Sequence, residues 1–145
     1  MHGRLLICLG AVALVSMFAG CGGVRLETVS GKVTLDGAPL PAAKVFLVPK
    51  NPPIGAGADP NAKGPYLGIT NDQGQFEIGP VDRAGGGAPP GAYTLTITTA
   101  WLEGGDEMSV TPPQKVPPPY STGVDFEVPP GGTRDANFDL ESKQR

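Results

Sequence analysis

The sequence predicts an all-β domain, a seven-stranded antiparallel β-sandwich that follows an N-terminal lipoprotein signal peptide. Two observations lead to the fold class. Short segments alternate apolar and polar residues, and clusters of glycine and proline separate them. Glycine and proline number 22 and 17 of the 145 residues, and no convincing helical pattern follows the N-terminal segment. Because one strand cannot bury its apolar face alone, we expect two sheets packed face to face.

Seven segments have the composition and periodicity of β-strands. They are 29–35, 44–48, 66–70, 75–79, the part of 87–99 that follows its proline–glycine turn, 124–128 and 134–140. In each segment, the apolar side chains that alternate to one face of the strand form the predicted core. They are Val33, Leu35, Val45, Leu47, Phe76, Ile78, Tyr93, Leu95, Ile97, Phe126, Phe138 and Leu140.

Residues with turn chemistry separate several of the strands. The predicted structural turns use Asp36, Gly37, Asn71, Asp72, Gly74 and Gly91. Asp-Gly is typical of a tight hairpin, and in the NDQG segment an Asx-type bond from Asn71 or Asp72 precedes a glycine with positive φ. The oxygen-rich NDQG segment also resembles a calcium loop. It lacks the further acidic ligands of an EF-hand, so a turn is favoured and no metal is predicted.

The N-terminal 20 residues are predicted to be a signal peptide. Arg4 precedes an uncharged segment, 5–19, which is too short to cross a bilayer that needs about 20 apolar residues. Cys21 then follows small residues in a Phe-Ala-Gly-Cys sequence that resembles a bacterial lipobox, so cleavage would leave Cys21 as an acylated N-terminus. The alternatives are an ordinary signal peptide with an incidental cysteine and an uncleaved membrane anchor.

These features predict four parts of the chain and a location. The parts are the signal peptide 1–20, a lipidated N-terminus with a short tether 21–27, the β-sandwich 28–140 and a polar tail 141–145. The membrane is the first expected partner, through the lipid on Cys21. By analogy with enterobacterial sorting, Gly22 after the cysteine favours the outer membrane of a bacterial envelope. The formal net charge of −3 argues against a nucleic-acid partner.

Several motifs, in order along the chain, resemble a known family. The segments are VSGKVTLDGAPLPAAKVFLVP, GITNDQGQFEI, GAPPGAYTLTIT and a later Val-Pro…Tyr segment. The matching positions are Gly31, Val33, Asp36, Gly37, Pro39, Leu40, Thr70, Gly74, Phe76, Pro89, Pro90, Gly91, Tyr93, Val116, Tyr120 and Phe138. They resemble the carboxypeptidase-regulatory-like and transthyretin-like β-sandwiches, and in particular small lipoproteins of that type in planctomycete-like bacteria. Asn71 and Pro119 depart from the pattern, where aspartate and lysine are usual. The resemblance implies the fold and leaves the molecular role open.

The residue inventory argues against an enzyme and against a cofactor. His2 and Cys8 lie in the predicted signal peptide and Cys21 would be acylated, so the mature chain would have no histidine and no free thiol. Common proton shuttles, nucleophiles and zinc ligands are therefore missing. The resemblance also implies a hydroxyisourate hydrolase activity in some transthyretin-like proteins. Its histidines and its C-terminal Tyr-Arg-Gly-Ser are absent from this chain. No catalytic residue is predicted.

An isopeptide bond between strands is another chemistry to consider. Lys32, Glu77 and Asn137 are suitable residues by strand order. Strand alternation places all three side chains in solvent, because their neighbours take the inward face. Such a bond needs a dry interior, so none is expected.

The predicted function is a non-enzymatic, lipid-anchored module of the cell envelope that acts in structural or protein–protein interaction. The alternative is a carbohydrate or small-ligand binding module, and the partner is an unknown envelope protein or glycan. If the strands alternate in direction, the connections fall at two ends. We call 49–65, 80–91 and 129–133 the near end, next to the N-terminus, and 36–41, 71–74 and 100–123 the far end. Trp101, Asp106 and Glu107 form the predicted partner-binding loop at the far end, unless Trp101 only caps the core.

Overall fold

The computed structural model describes residues 23–52, 59–83, 85–101 and 110–142. Within these ranges there are nine strands and one short 3-10 turn, Pro60–Ala62. The strands are β1 Ser30–Leu35, β2 Ala38–Pro39, β3 Lys44–Pro49, β4 Tyr66–Ile69, β5 Gln75–Glu77, β6 Gly79–Pro80, β7 Gly91–Thr98, β8 Val124–Val128 and β9 Phe138–Leu140. This part of the chain holds no helix of the length and hydrophobicity needed to cross a bilayer.

The strands form two sheets, and the chain is all-β as predicted. One sheet has four strands, with β1 between β2 and β5 on one path and β9 also paired to β1. The other sheet has five strands in the order β6-β4-β3-β7-β8. All pairs are antiparallel except β1 and β9, which run parallel with Val33 opposite Phe138. The sheets are therefore mainly antiparallel, rather than wholly antiparallel as predicted.

The strand count and several bounds differ from the sequence prediction of seven strands. β2 and β6 are two-residue strands that the periodicity did not mark. The segment predicted as one strand over 75–79 is split, because β5 pairs with β1 in one sheet and β6 pairs with β4 in the other. The last strand begins at Phe138 instead of residue 134. Just before this strand, a side chain takes the role of a main-chain acceptor: Asn137 Oδ1 accepts the N–H of Lys32 at 3.0 Å.

Both sheets contribute to one hydrophobic core. Val33 and Leu140 come from the four-stranded sheet, and Leu47, Leu95 and Ile97 come from the five-stranded sheet. Burial confirms most of the predicted core. The exceptions are Leu35, Phe126 and Phe138, which are partly buried and pack against the margin of the core. Residues that the prediction omitted are also buried, namely Val29, Leu40, Tyr66, Val116 and Val128.

For the described residues of these connections, hydrogen bonds agree with the predicted grouping at two ends. At the near end, Glu27 and Ala88 exchange main-chain bonds of 2.9 and 3.0 Å, and the N–H of Thr133 donates to Thr28. At the far end, the N–H of Val33 donates to Gly74 at 2.8 Å. There the indole of Trp101 also reaches the 36–43 segment. The N-terminal segment and the Trp101 segment thus lie at opposite ends of the domain.

Candidate functional site

Trp101 lies at the far end and its ring is held in place by two contacts. The indole Nε1 donates to the carbonyl of Ala42 at 2.8 Å, and Lys44 Nζ lies 3.9 Å from the ring centroid. A cation over the face of an indole is attracted by the ring quadrupole. The side chain is only partly exposed. A partner would therefore contact an aromatic ring whose orientation is fixed. The same two contacts are also compatible with a ring that only covers the edge of the hydrophobic core.

The other residues predicted for partner binding and lipidation lie outside the described residues. Asp106 and Glu107 fall between Trp101 and Val110, and Cys21 precedes Gly23. The same holds for the predicted signal peptide. Of the three residues predicted for partner binding, the structure therefore places only Trp101, which contacts another far-end connection through Ala42.

Two buried threonines, which the sequence predicted only as strand residues, hold the far-end connections. Thr70 Oγ1 donates to the carbonyl of Leu40 at 2.6 Å and accepts the N–H of Ala43 at 2.8 Å. Thr99 Oγ1 donates to the carbonyl of Pro113 at 2.9 Å and accepts the N–H of Lys115 at 2.8 Å. Each threonine stands at the next inward-facing position beyond its strand. The alternation of inward and outward side chains, continued by one step past each strand, is the sequence signal that could have predicted their burial.

The predicted turns have the expected chemistry. Asp36 and Gly37 both have positive φ, 51° and 83°, in the hairpin between β1 and β2. In the NDQG segment it is Asn71 that makes the Asx-type bonds, because its Oδ1 accepts the N–H groups of Gln73 and Gln75 at 3.0 and 2.9 Å.

Glycines occupy the remaining predicted turn positions. Gly74 has φ 75°, and a Cβ there would overlap the carbonyl oxygen of Val33. Gly91 has φ 147° at the start of β7. Asp72, the sixth predicted turn residue, is exposed within the NDQG turn.

A groove of about 500 Å³ lies on the outer face of the four-stranded sheet, and the sequence analysis did not identify it as a site. Lys32 lies on β1 opposite Gln75 of β5, and Asn137 bonds to the main chain of Lys32 from the other side. Arg134 and Glu77 also line the groove. The side chains of Lys32, Glu77 and Asn137 are exposed, as the alternation predicted.

Two buried tyrosines have perturbed acidity, and their surroundings indicate a structural role. Burial raises the pKa of Tyr93, whose hydroxyl donates to the carbonyl of Pro89 at 2.6 Å. Burial also raises the pKa of Tyr66, and the two rings meet edge to face with centroids 5.9 Å apart. Both rings belong to the hydrophobic core. The raised pKa values therefore reflect burial in the core, and neither hydroxyl lines the groove.

Among the described residues, no three His, Cys, Asp or Glu side chains come close enough together to hold a metal ion. The comparisons with known proteins likewise assign no role to the groove or to Trp101. No protein-family model, curated protein or solved structure matches this chain.

Proposed function

We propose that this chain is a non-enzymatic, lipid-anchored β-sandwich module of the bacterial cell envelope that acts in structural or protein–protein interaction. The observation that supports it most directly is the position of the N-terminal segment. The N–H of Val24 donates to Asp59 Oδ2 at 3.0 Å, and Glu27 is bridged to Ala88. A lipid on Cys21, three residues before Val24, would thus hold the near end to the membrane surface.

The same geometry supports the far end as the partner-binding end. The far end would point away from the membrane and carry Trp101 together with the long connection that contains Asp106 and Glu107. Loops carried on a rigid scaffold are where binding sites are commonly built, and tryptophan is enriched at binding hot spots. Two sheets with a shared core support the sandwich part of the proposal. The motif resemblance supports a sandwich of the carboxypeptidase-regulatory-like or transthyretin-like type.

Lipidation is tested by exchanging each of the two cysteines. Wild-type chain and Cys8→Ser chain should be found in the detergent-extractable membrane fraction, with an intact mass that shows cleavage before Cys21 and added acyl groups. Cys21→Ser should leave that fraction or accumulate unprocessed. Normal cleavage and membrane retention of Cys21→Ser would contradict the anchor. Separation of inner and outer membranes from the same cells tests the proposed outer-membrane location.

Partner binding is tested by crosslinking in native membranes followed by purification of the chain. A binding role for Trp101 predicts that Trp101→Ala loses a specific crosslinked protein while the melting temperature changes little. Trp101→Ala that keeps every crosslinked protein but melts much lower identifies the ring as a core cap, and that result contradicts its role in binding. An enzyme is disfavoured because the predicted mature chain lacks histidine and free thiol groups.

A further inference from the structure

The groove on the four-stranded sheet displays hydrogen-bond donors that the fold itself does not use. We propose that it binds a small ligand that carries an oxyanion, a carboxylate or a phosphate, on a ring. The proposal goes beyond the interaction role and does not depend on the lipid anchor. It deepens the alternative of a small-ligand module, which the sequence left without a site.

The orientation of the groove's amides is set by chemistry. Asn137 Oδ1 accepts the main-chain N–H of Lys32, and Asn71 Oδ1 accepts two main-chain N–H groups. A main-chain N–H can only donate, so both amides must turn their oxygen to the protein. Asn71 Nδ2 then donates to Gln75 Oε1 at 3.3 Å. The NH₂ groups of Asn137 and Gln75 are thus left as donors, with no partner among the described residues.

Two cations add to these donors. Lys32 and Arg134 line the groove and make no ion pair with any residue that the structure describes. Elsewhere Arg25 pairs with Glu27 at 2.9 Å, and Lys50 pairs with Asp125 at 2.6 Å. Among the residues that the structure describes, Glu77 is the one carboxylate that lines the groove. Its carboxylate leans toward Gly85, since a Cβ on that glycine would lie 3.1 Å from Glu77 Oε1.

A surface that offers mainly donors selects a ligand that mainly accepts. An oxyanion accepts hydrogen bonds without donating any, and charge-assisted bonds to it from lysine and arginine are the strong ones. A neutral sugar also donates through each hydroxyl and would find few acceptors in the groove. Ile69 lies at the margin of the groove with 45% of its surface exposed and offers an apolar contact to a ring. The volume of about 500 Å³ lies within the range of small-molecule sites.

Calorimetric titration of the detergent-solubilised full chain tests the proposal. The ligands are galacturonate, glucose 6-phosphate and neutral glucose, at millimolar concentrations suited to an open groove. We expect one galacturonate or one glucose 6-phosphate per chain, no heat from glucose, and weaker binding as salt is raised. The tighter of the two anions identifies the natural class as a carboxylate or a phosphate.

Isosteric variants connect the binding to the groove. Asn137→Asp keeps an oxygen for the N–H of Lys32 but replaces the free donor with an acceptor and adds a negative charge. We expect at least tenfold weaker binding at an unchanged melting temperature. Lys32→Ala and Arg134→Ala should each weaken binding severalfold, whereas Glu77→Gln should strengthen it. Lys63→Ala, which removes an exposed cation outside the groove, should bind as the wild type does.

Three results would overturn the proposal. One is no detectable heat from either anion. Another is equal binding of glucose. The third is anion binding that persists in Asn137→Asp, Lys32→Ala and Arg134→Ala, which would place the ligand elsewhere. None of these results bears on the lipid anchor or on Trp101, so failure here is distinguishable from failure of the envelope role.

Discussion

At the near end, main-chain groups of different connections bond directly to one another, whereas at the far end several side chains add to the main-chain bonds between Thr70 and the 42–43 segment. Glu27 and Ala88 bond to each other, the carbonyl of Thr28 accepts the N–H of Thr133, and Gly132 packs directly against the main chain of Thr28. The far end depends in addition on the hydroxyls of Thr70 and Thr99 and on the indole of Trp101.

The two kinds of contact restrict the sequence differently. Main chains that approach this closely leave no room for a Cβ, so a Cβ on Gly87 or Gly132 would overlap the carbonyl oxygen of Glu27 or Thr28. Side-chain contacts need one hydroxyl or one indole in the right place and leave the neighbouring loop residues free to differ. A domain built in this way can vary the end proposed for partner binding while it keeps the end that receives the N-terminal segment.

The largest effect is expected from a side chain at the near end. Gly132→Ala places a Cβ against the Thr28 carbonyl at φ 77°, so left-handed strain and overlap combine to about 2–5 kcal/mol of lost stability. Gly131→Ala is the matched control, with φ 90° and open space around the Cβ, and should cost about 1–2 kcal/mol from the strain alone. Chemical denaturation of both variants checks this. Equal losses would show that the close approach is unimportant.

The next effect concerns the hydroxyls of the far end. Thr70→Val keeps the shape of the side chain but leaves the carbonyl of Leu40 and the N–H of Ala43 without their buried partner, at a cost of about 1–3 kcal/mol. Thr96→Val on the outer face of β7 is the control and should change the free energy of unfolding by less than about 0.5 kcal/mol. If Thr70→Val were as stable as Thr96→Val, the Thr70 hydroxyl would not be needed to hold the far-end connections.

Alkaline pH should weaken the near-end contact of Tyr93 with Pro89. The pKa of Tyr93 is raised by burial above the ordinary 10.0, so the folded chain keeps a proton that the unfolded chain releases. This stability is fully present below pH 10 and is lost as the pH rises above it, by up to about 1.4 kcal/mol per pH unit. Denaturation between pH 9 and pH 11 should show a shallower decline for Tyr93→Phe. Identical slopes for the two proteins would count against this.

The smallest effect is expected at Trp101. Trp101→Phe keeps a ring over which Lys44 can lie but loses the Nε1 bond to Ala42, which is worth about 0.5–1 kcal/mol at this partly exposed position. Lys44→Met removes the cation alone and should cost about 0.5 kcal/mol. Thermal unfolding measures both. A loss above about 2 kcal/mol for Trp101→Phe would mean that the ring belongs to the core more than its exposure indicates.

Local patterns were enough to predict the all-β class, most of the core and the turns at Asp36, Gly37 and Asn71. They were insufficient for β9, because its pairing with β1 depends on residues more than 100 positions apart in the sequence. The groove was missed for a similar reason. Lys32 and Asn137 were each assigned to solvent correctly, but only the strand register shows that their free donors lie beside that of Gln75. Thr70 and Thr99 were placed in strands, but their hydroxyl contacts were missed because the bonded groups of Leu40, Ala43, Pro113 and Lys115 lie 14 or more positions away in the sequence.

The pairing of β1 with β9 also determines when the four-stranded sheet can be completed. β1 comes near the start of the chain, yet its ladder is completed only by Phe138–Leu140, and the side chain of Asn137 reaches Lys32 across 105 positions. Contacts between such distant residues form slowly, because the intervening chain must first be brought together. In a chain that is still being synthesised, β1 could pair with β2 and β5 as soon as residue 77 is available. Its other edge would stay unpaired until residues 138–140 arrive.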